Sequence, residues 1–231
     1  MRGATFAAGI ASAQDGGVNV AARKVLTRAE SQAQTREELL DAATRMFLKG
    51  GYHSTSIAAI AAEAGRTIGA VYSNFESKEA LCLEVLKTRY SAELTSLMAA
   101  VVATDGSLEE RLAAISQWWS GLSSDFPLSV LAAEYAVSTI RNSDQRRVNH
   151  EAVDRFLGWG RVLLEEQPEG EAATDTDLED AVVTACAMGI GLAAGQAMGM
   201  LDAERSAALL VSSVRLHLHD MRARTTSLER R

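Results

Sequence analysis

The sequence predicts an all-α protein, with a small N-terminal three-helix unit followed by a larger helical domain. Only two prolines occur among 231 residues, so few positions interrupt helices. Hydrophobic residues make up 47% of the chain and apolar positions recur at three- and four-residue spacing, the period of helices with one buried face. Strand-like alternation of β-branched residues is nearly absent. The length suffices for one or two domains with a sizeable core.

Residues 56–78 (SIAAIAAEAGRTIGAVYSNFESK) predict two short helices separated by a tight break. The apolar pattern of the first helix stops at Gly65, where a positive φ would let the chain leave the helix. Thr67 is predicted to cap the second helix by accepting a backbone hydrogen bond. This is a helix-turn-helix, and the second helix of such a pair, here residues 67–75, normally enters the major groove of DNA.

The flanking residues complete a longer pattern. Upstream, residues 35–49 predict an amphipathic helix that begins with a Thr35/Glu38 capping box. The whole run TREELLDAATRMFLKGGYHSTSIAAIAAEAGRTIGAVYSNFESKEAL resembles the N-terminal domain of the TetR family of bacterial transcriptional regulators, in its GY, IA, AG, VY and NF-x-SKEAL signatures. The resemblance implies a DNA-binding domain at 35–80 and a helical ligand-binding and dimerisation domain at 81–231. Residues 1–34 are rich in Ala, Gly, Ser and Gln, and this composition predicts a flexible arm.

Several residues are candidates for DNA contact. Thr55 and Ser56 precede a helix whose free N–H groups favour a phosphate oxygen. On the second helix, Ser73 and Asn74 can hydrogen-bond a base edge or a phosphate, and apolar groups can touch a thymine methyl. The exposed face predicted for this helix comprises Ile68, Gly69, Ala70, Ser73 and Asn74.

The resemblance assigns sugar-phosphate contacts to Tyr72 and Lys78. The sequence departs from the family at Ala58, where arginine is frequent, and at Arg66, where valine is frequent. Ala58 removes one candidate base reader. Arg66 supplies either a base contact or a phosphate contact, because a charge there cannot be buried unpaired.

The charge distribution bears on DNA binding. The net charge is −7, yet residues 35–90 hold seven basic and seven acidic side chains, so the acidity lies mostly in the C-terminal part. A neutral DNA domain implies modest affinity per monomer, so binding is expected to need a dimer. Arg23, Lys24 and Arg28 form a basic arm that either follows the DNA or is simply solvated.

The C-terminal domain is predicted to contain helices at 77–102, 107–122, 125–141, 144–166, 177–201 and 202–224. Large aromatic side chains on its middle helices can line an apolar ligand cavity, with Glu134 as a polar group, or can be ordinary core. These residues are Trp118, Trp119, Phe126, Tyr135, Phe156 and Trp159. The ligand itself is not specified by the sequence.

The last two helices are candidates for a dimer interface. Glycine inside a helix costs up to about 1 kcal/mol relative to alanine, and close approach of another helix is a natural reason for several of them. By resemblance these helices form a four-helix bundle between two chains; packing within one chain is the alternative. The residues concerned are Gly189, Gly191, Gly195, Gly199, Leu210 and Val214.

The resulting hypothesis is a cytoplasmic, homodimeric DNA-binding regulator, a repressor that recognises a palindromic operator and responds to a small-molecule effector. No cofactor, metal site or enzymatic role is expected, since no arrangement of nucleophile, base and orienting residue is evident. Cys82 and Cys186 are expected to be reduced, and no apolar run reaches the length of a membrane span. The alternative is a helical adaptor or effector-binding protein of the same fold without specific DNA binding.

Overall fold

The computed structural model describes residues 27–104, 106–144, 147, 158 and 175–229. Regular structure in these residues is entirely α-helical, as predicted. The helices are α1 (Arg28–Ser54), α2 (Ile57–Glu63), α3 (Ile68–Tyr72), α4 (Lys78–Val102), α5 (Leu108–Ser124), α6 (Phe126–Thr139), α7 (Asp175–Ala197) and α8 (Ala203–Glu229). Residues 1–26 of the arm predicted at 1–34, and most of the helix predicted at 144–166, lie outside the described residues.

The start of α1 differs from the sequence prediction. The helix begins seven residues before Thr35, because Thr27 and Glu30 form a reciprocal capping box there. Thr35 is an ordinary helical residue whose hydroxyl donates to the Ser31 carbonyl at 2.9 Å. Residues 28–34, assigned to the flexible arm from sequence, therefore belong to the first helix.

A left-handed residue interrupts α1 near its C-terminal end. Gly51 has φ +78°, and the chain turns there so that the Tyr52 side chain becomes buried. The Thr55 hydroxyl donates to the carbonyls of Gly51 (2.8 Å) and Met46 (3.2 Å). These bonds hold the end of α1 in a fixed orientation toward α2.

One hydrophobic core joins the N-terminal helices to α4 and α6. Its deepest members from the first part of the chain include Phe47, Ile60 and Val71, which are fully buried. Helix α6 adds Leu128, Leu131 and Tyr135 to the same core. The N-terminal domain is therefore packed, through α1, directly against a helix of the C-terminal part.

A second, smaller core lies between α5, α7 and α8. It contains Trp119, Leu192, Ala207 and Leu210. The Trp119 indole N–H donates to the buried Ser206 hydroxyl at 2.8 Å. Buried Trp usually finds such a partner, because an unpaired N–H in an apolar interior is costly.

The glycines of α7 have different surroundings from those predicted. A side chain at Gly189 would meet the Trp119 ring at 3.3 Å, and one at Gly195 would meet Leu201 at 3.2 Å, so both face this chain's own residues. Gly199 lies beyond the helix end with φ +71°, in the left-handed turn that leads to α8. Close packing within the chain accounts for Gly189 and Gly195, and turn geometry accounts for Gly199.

Helix α7 contains an apolar segment that is longer than the sequence analysis expects. Residues Glu179–Ala197 are long and apolar enough to cross a membrane by length and composition, although core helices of water-soluble proteins pass the same test. Only 28% of this segment is buried within the described chain. An apolar helix with this much exposed surface is typical of an interface.

The Trp119–Ser206 contact provides a test of the second core. Ser206→Ala leaves the indole N–H without its acceptor, and we expect the free energy of unfolding to fall by about 1–3 kcal/mol in urea denaturation. Trp119→Phe removes the donor and some packing, so we expect a similar or larger loss. Replacing both should cost less than the sum of the two changes by about 1 kcal/mol. Strict additivity would contradict a direct contact.

Candidate nucleic-acid interface

The turn between α2 and α3 is fixed by backbone geometry and one side-chain cap. Gly65 has φ +63°, as the sequence predicts, and the Arg66 N–H donates to the Ala61 carbonyl at 2.8 Å. Thr67 caps α3 by accepting the Ala70 N–H at 3.1 Å, which confirms the predicted cap. A helix of five residues has few internal hydrogen bonds, so this cap matters to its formation.

Helix α3 presents one face to solvent and the other to the core. Val71 and, just after the helix, Phe75 are buried. Ile68 and Tyr72 are large side chains that are 48% and 56% exposed. Gly69 and Ser73 are also exposed, and Ala70 is half-buried. The face proposed to read DNA is thus turned outward, and its contacts with DNA remain a prediction.

The polar groups at the end of α3 are engaged within the chain. The Ser73 hydroxyl and the Asn74 amide both donate to the Ala70 carbonyl, at 3.0 and 2.8 Å. The backbone carbonyl of Asn74 accepts a hydrogen bond from the Arg36 guanidinium of α1 at 2.8 Å. A base contact by the Ser73 or Asn74 donors therefore requires these local bonds to open or be shared.

Thr55 does not face outward as a phosphate contact would require. Its side chain is buried, and its hydroxyl is directed to α1 carbonyls as described above. The expectation for Thr55 is therefore wrong for the side chain. Ser56 is exposed and caps α2 by accepting the Ala59 N–H at 3.1 Å, so it stands at the helix start as predicted.

Arg66 is paired with an acidic residue of α1. Its guanidinium donates through Nε (2.9 Å) and Nη2 to the same oxygen of Glu38. The other Glu38 oxygen accepts from Gln34 at 3.0 Å. The hydrogen bond from Arg66, with smaller help from Gln34, holds the pKa of Glu38 below its usual range. Arg66 thus ties the turn to α1, a role that sequence reasoning did not propose.

Lys78 lies at the start of α4, against an aromatic ring. Its ammonium is 4.3 Å from the centroid of the Tyr52 ring, which is within range of a cation–π interaction. The Tyr52 hydroxyl donates to Glu79 at 2.7 Å. Sequence reasoning assigned Lys78 from the family pattern but gave Tyr52 and Glu79 no role. The GY signature was the only available signal for Tyr52.

Tyr52 and Glu79 influence each other's ionisation. Burial, and then the hydrogen bond to Glu79, raise the pKa of the Tyr52 phenol. Partial burial alone would raise the pKa of Glu79, but the hydrogen bonds from Tyr52, the backbone and Ser77 bring it below the usual range. Both shifts indicate a neutral phenol that donates to an ionised carboxylate at neutral pH.

The four described members of the aromatic set predicted to line one ligand cavity do not form a single cluster. Trp118 and Trp119 are neighbours, with ring centroids 6.3 Å apart. Trp119 belongs to the second core, whereas Tyr135 packs in the first core with its ring edge-on to Tyr52 at 6.1 Å. Trp118 is half-buried and donates to the Glu93 carbonyl at 2.9 Å, and Phe126 is 55% exposed. Phe156 and Trp159 lie outside the described residues. The two tryptophans therefore pack in the second core and Tyr135 in the first, whereas Phe126 is largely exposed to solvent.

An apolar depression of about 510 Å³ lies on α7 instead. It is lined by Val183, Thr184, Ala187, Met188, Gly191 and Leu192. None of the four described aromatics predicted to line a cavity belongs to it. Among the described residues, no group of three or more His, Cys, Asp or Glu side chains is placed to hold a metal ion.

A capped helix-turn-helix with an outward-facing second helix, packed on a longer helical part, defines a helix-turn-helix protein. Residues 39–85 match the family described as bacterial regulatory proteins, tetR family. The resemblance to the TetR family found in the sequence is therefore confirmed for this segment.

Two HTH-type transcriptional regulators are similar to parts of this chain. The HTH-type transcriptional regulator AcrR of Shigella flexneri is 45% identical over 59 residues, which are 26% of this chain and 27% of AcrR. LmrA of Bacillus subtilis, also an HTH-type transcriptional regulator, is 28% identical over 141 residues, covering 58% of this chain and 72% of LmrA. The chain thus spans only about a quarter of AcrR.

Solved structures extend the likeness of fold to most of the chain. The transcriptional regulator FadR from Bacillus subtilis, solved in complex with stearoyl-CoA, superposes with a TM-score of 0.59 and 22% identity. The superposition covers 78% of this chain and 96% of FadR. At this identity the likeness concerns the fold alone.

The Tyr52–Glu79 hydrogen bond predicts a pH-dependent effect of Tyr52→Phe. Because the folded-state pKa of Glu79 is lowered, its stabilisation is present above the unfolded value near 4.5 and is lost as the pH falls below it. At pH 7 we expect Tyr52→Phe to reduce the free energy of unfolding by about 1 kcal/mol, since Glu79 is only partly buried. The difference from wild type should shrink at pH 4.

Urea denaturation at both pH values measures this difference. Tyr72→Phe is a suitable control, because it removes an exposed phenol hydroxyl from α3. Its effect should be nearly the same at pH 7 and pH 4. A Tyr52→Phe effect that stays constant or grows on acidification would contradict the charge-assisted hydrogen bond.

Proposed function

We propose that this protein is a DNA-binding transcriptional regulator that acts as a homodimeric repressor at a palindromic operator. The observation that carries the proposal is the outward face of α3, with Ile68 and Tyr72 exposed, inside a domain that matches the TetR family. In helix-turn-helix proteins this helix lies in the major groove, and two copies read half-sites about one helical turn apart.

The electrostatics of the domain limit the affinity of a single chain. Several of its cations already have acidic partners, including Arg45 with Glu63 (3.2 Å) and Arg36 with Glu84 (3.4 Å), besides Arg66 with Glu38. Phosphate contacts therefore depend on a few groups, among them Lys78 and Tyr72, together with helix N-termini. Combining two such domains in a dimer compensates for weak binding by each one.

The first test is fluorescence anisotropy on DNA that flanks the protein's own gene, beside a scrambled sequence, at two salt concentrations. A regulator should prefer the native DNA, and its affinity should fall steeply with salt as counterions are released from the phosphates. Binding at two chains per site supports the dimer. The neutral charge of the domain favours one alternative, a helical adaptor, which would show no specific binding to any genomic fragment.

Two kinds of variant separate affinity from specificity. Lys78→Ala and Tyr72→Ala should weaken binding to operator and scrambled DNA by similar factors, and Lys78→Ala should reduce the salt slope by about one. Lys87→Ala is a matched control, because it removes the same charge further along α4. Ala70→Gln should instead change the preferred base sequence. Equal effects of all these changes on both DNAs would contradict the division of roles.

The dimer is proposed to form through the exposed apolar surface of α7 and α8. Leu210 is buried in this chain, and Gly189 and Gly195 face inward, so these three predicted contacts are replaced by other residues. Val214 is half-buried and Gly191 has open space around it. Among the side chains that the structure describes on these two helices, the large exposed apolar ones are Val183, Ile190, Leu209 and Leu216. Burying such surface between two chains removes it from water.

Charge placed in this surface should separate the chains. Ile190→Asp would bury an unpaired carboxylate at the interface, so we expect sedimentation velocity to show monomers at concentrations where the wild type is dimeric. Val137→Asp is the control, because Val137 is similarly exposed but lies on α6. If Ile190→Asp remained dimeric, the interface would have to lie elsewhere.

A small-molecule effector is the remaining part of the proposal. FadR from Bacillus subtilis, which shares the fold, was solved with stearoyl-CoA. The half-buried Trp118 of α5, whose indole N–H donates to the Glu93 carbonyl of α4, offers a surface where an apolar effector can bind in the present chain. Binding there would shift α4 and change the separation of the two α3 helices, so that they no longer span successive major grooves.

A further inference from the structure

Glu134 connects α6 to the left-handed turn of α1. One oxygen of its carboxylate accepts the Tyr52 backbone N–H at 2.5 Å. A Cβ atom at Gly51 would lie 2.6 Å from that oxygen, so the carboxylate is seated directly against the turn. Only glycine allows both the positive φ and this close approach.

Tyr52 carries the contact onward to α4. Its backbone is held by Glu134, its ring packs edge-on against Tyr135, and its hydroxyl donates to Glu79. The Lys78 ammonium lies over the same ring. A single buried side chain therefore touches α6 on one side and the start of α4 on the other.

Few other polar contacts join α6 to α1 in the described residues. The Ser138 hydroxyl lies 3.4 Å from Nε2 of His53, which is a long contact between exposed groups. Leu128 and Leu131 add apolar packing. Apolar packing holds two helices together but tolerates sliding, whereas a hydrogen bond to one backbone N–H fixes a position.

We propose that Glu134 is a positioning residue for DNA binding, whose carboxylate sets the place of Tyr52 and thereby of the Lys78 ammonium. The proposal rests on the proposed function, in which Lys78 contacts a phosphate. A displacement of α6 would then be transmitted through Tyr52 to the end of α4 that meets DNA. Glu134 itself makes no contact with DNA.

The direction in which a substitution at Glu134 changes the affinity for DNA distinguishes positioning of Lys78 from a simple effect of net charge. Removing an acidic side chain from a DNA-binding protein should by itself raise affinity for DNA. Loss of positioning should lower it, because Lys78 no longer occupies its place over Tyr52. A decrease in affinity on removal of a negative charge is therefore the distinguishing result.

The experiment is a double-mutant cycle in the full-length protein, with dissociation constants measured by anisotropy on the operator fragment over a range of salt. We expect Glu134→Ala to weaken binding about tenfold and to reduce the salt slope by about one, as Lys78→Ala does. In a Lys78→Ala background, Glu134→Ala should have less than about a twofold effect. Glu134→Gln retains an acceptor oxygen and should recover most of the affinity.

Controls keep the test independent of folding. Glu109→Ala removes a carboxylate that pairs with Arg215 between α5 and α8, and it should not weaken DNA binding. If Glu134→Ala does not fold, Glu134→Asp, which is too short to reach the turn, replaces it in the cycle. Unchanged or increased affinity in the folded variant, or additive effects with Lys78→Ala, would overturn the inference. Failure of the wild type to bind any DNA would instead overturn the proposed function, and this inference with it.

Discussion

The left-handed turn at Gly51 is the constraint on which the arrangement of the helices depends. It ends the straight part of α1 and directs Tyr52 into the core, and the following residues lead into α2. The N–H of Tyr52 is paired with Glu134, a residue from a helix more than eighty positions later. An alanine at position 51 would have two effects: its side chain would strain the backbone at this positive φ, and its Cβ would displace the Glu134 carboxylate. The turn of α1 and the packing of α6 against it therefore both depend on a glycine at position 51.

This dependence means that the helix-turn-helix is not packed on its own. Leu128, Leu131 and Tyr135 complete the core around Phe47 and Val71. A unit of about fifty residues has little interior of its own, so burial against α4 and α6 stabilises it substantially. Because close-packed interiors resist gradual deformation, a displacement of α6 is expected to move the reading helices as a body.

Local signals in the sequence were sufficient for most helices and for the turn. The cap at Thr67 and the positive φ at Gly65 follow from rules that involve only neighbouring residues. The start of α1 was missed because Thr27/Glu30 and Thr35/Glu38 carry the same T-x-x-E signature, and only tertiary context selects between them. Glu38 pairs with Arg66 instead, which no local pattern indicates.

The distribution of aromatic residues between cores was beyond the reach of the sequence for a different reason. Helical periodicity shows that Trp119 and Tyr135 are buried but does not show against which helix, because the same apolar stripe fits either core. The assignment depends on crossing angles and on polar partners such as Ser206. Likewise, a glycine's spacing does not reveal whether it faces the same chain, as Gly189 does toward Trp119, or a second one. Contacts between distant segments decide both questions, and the same contacts place Glu134 at the turn of α1.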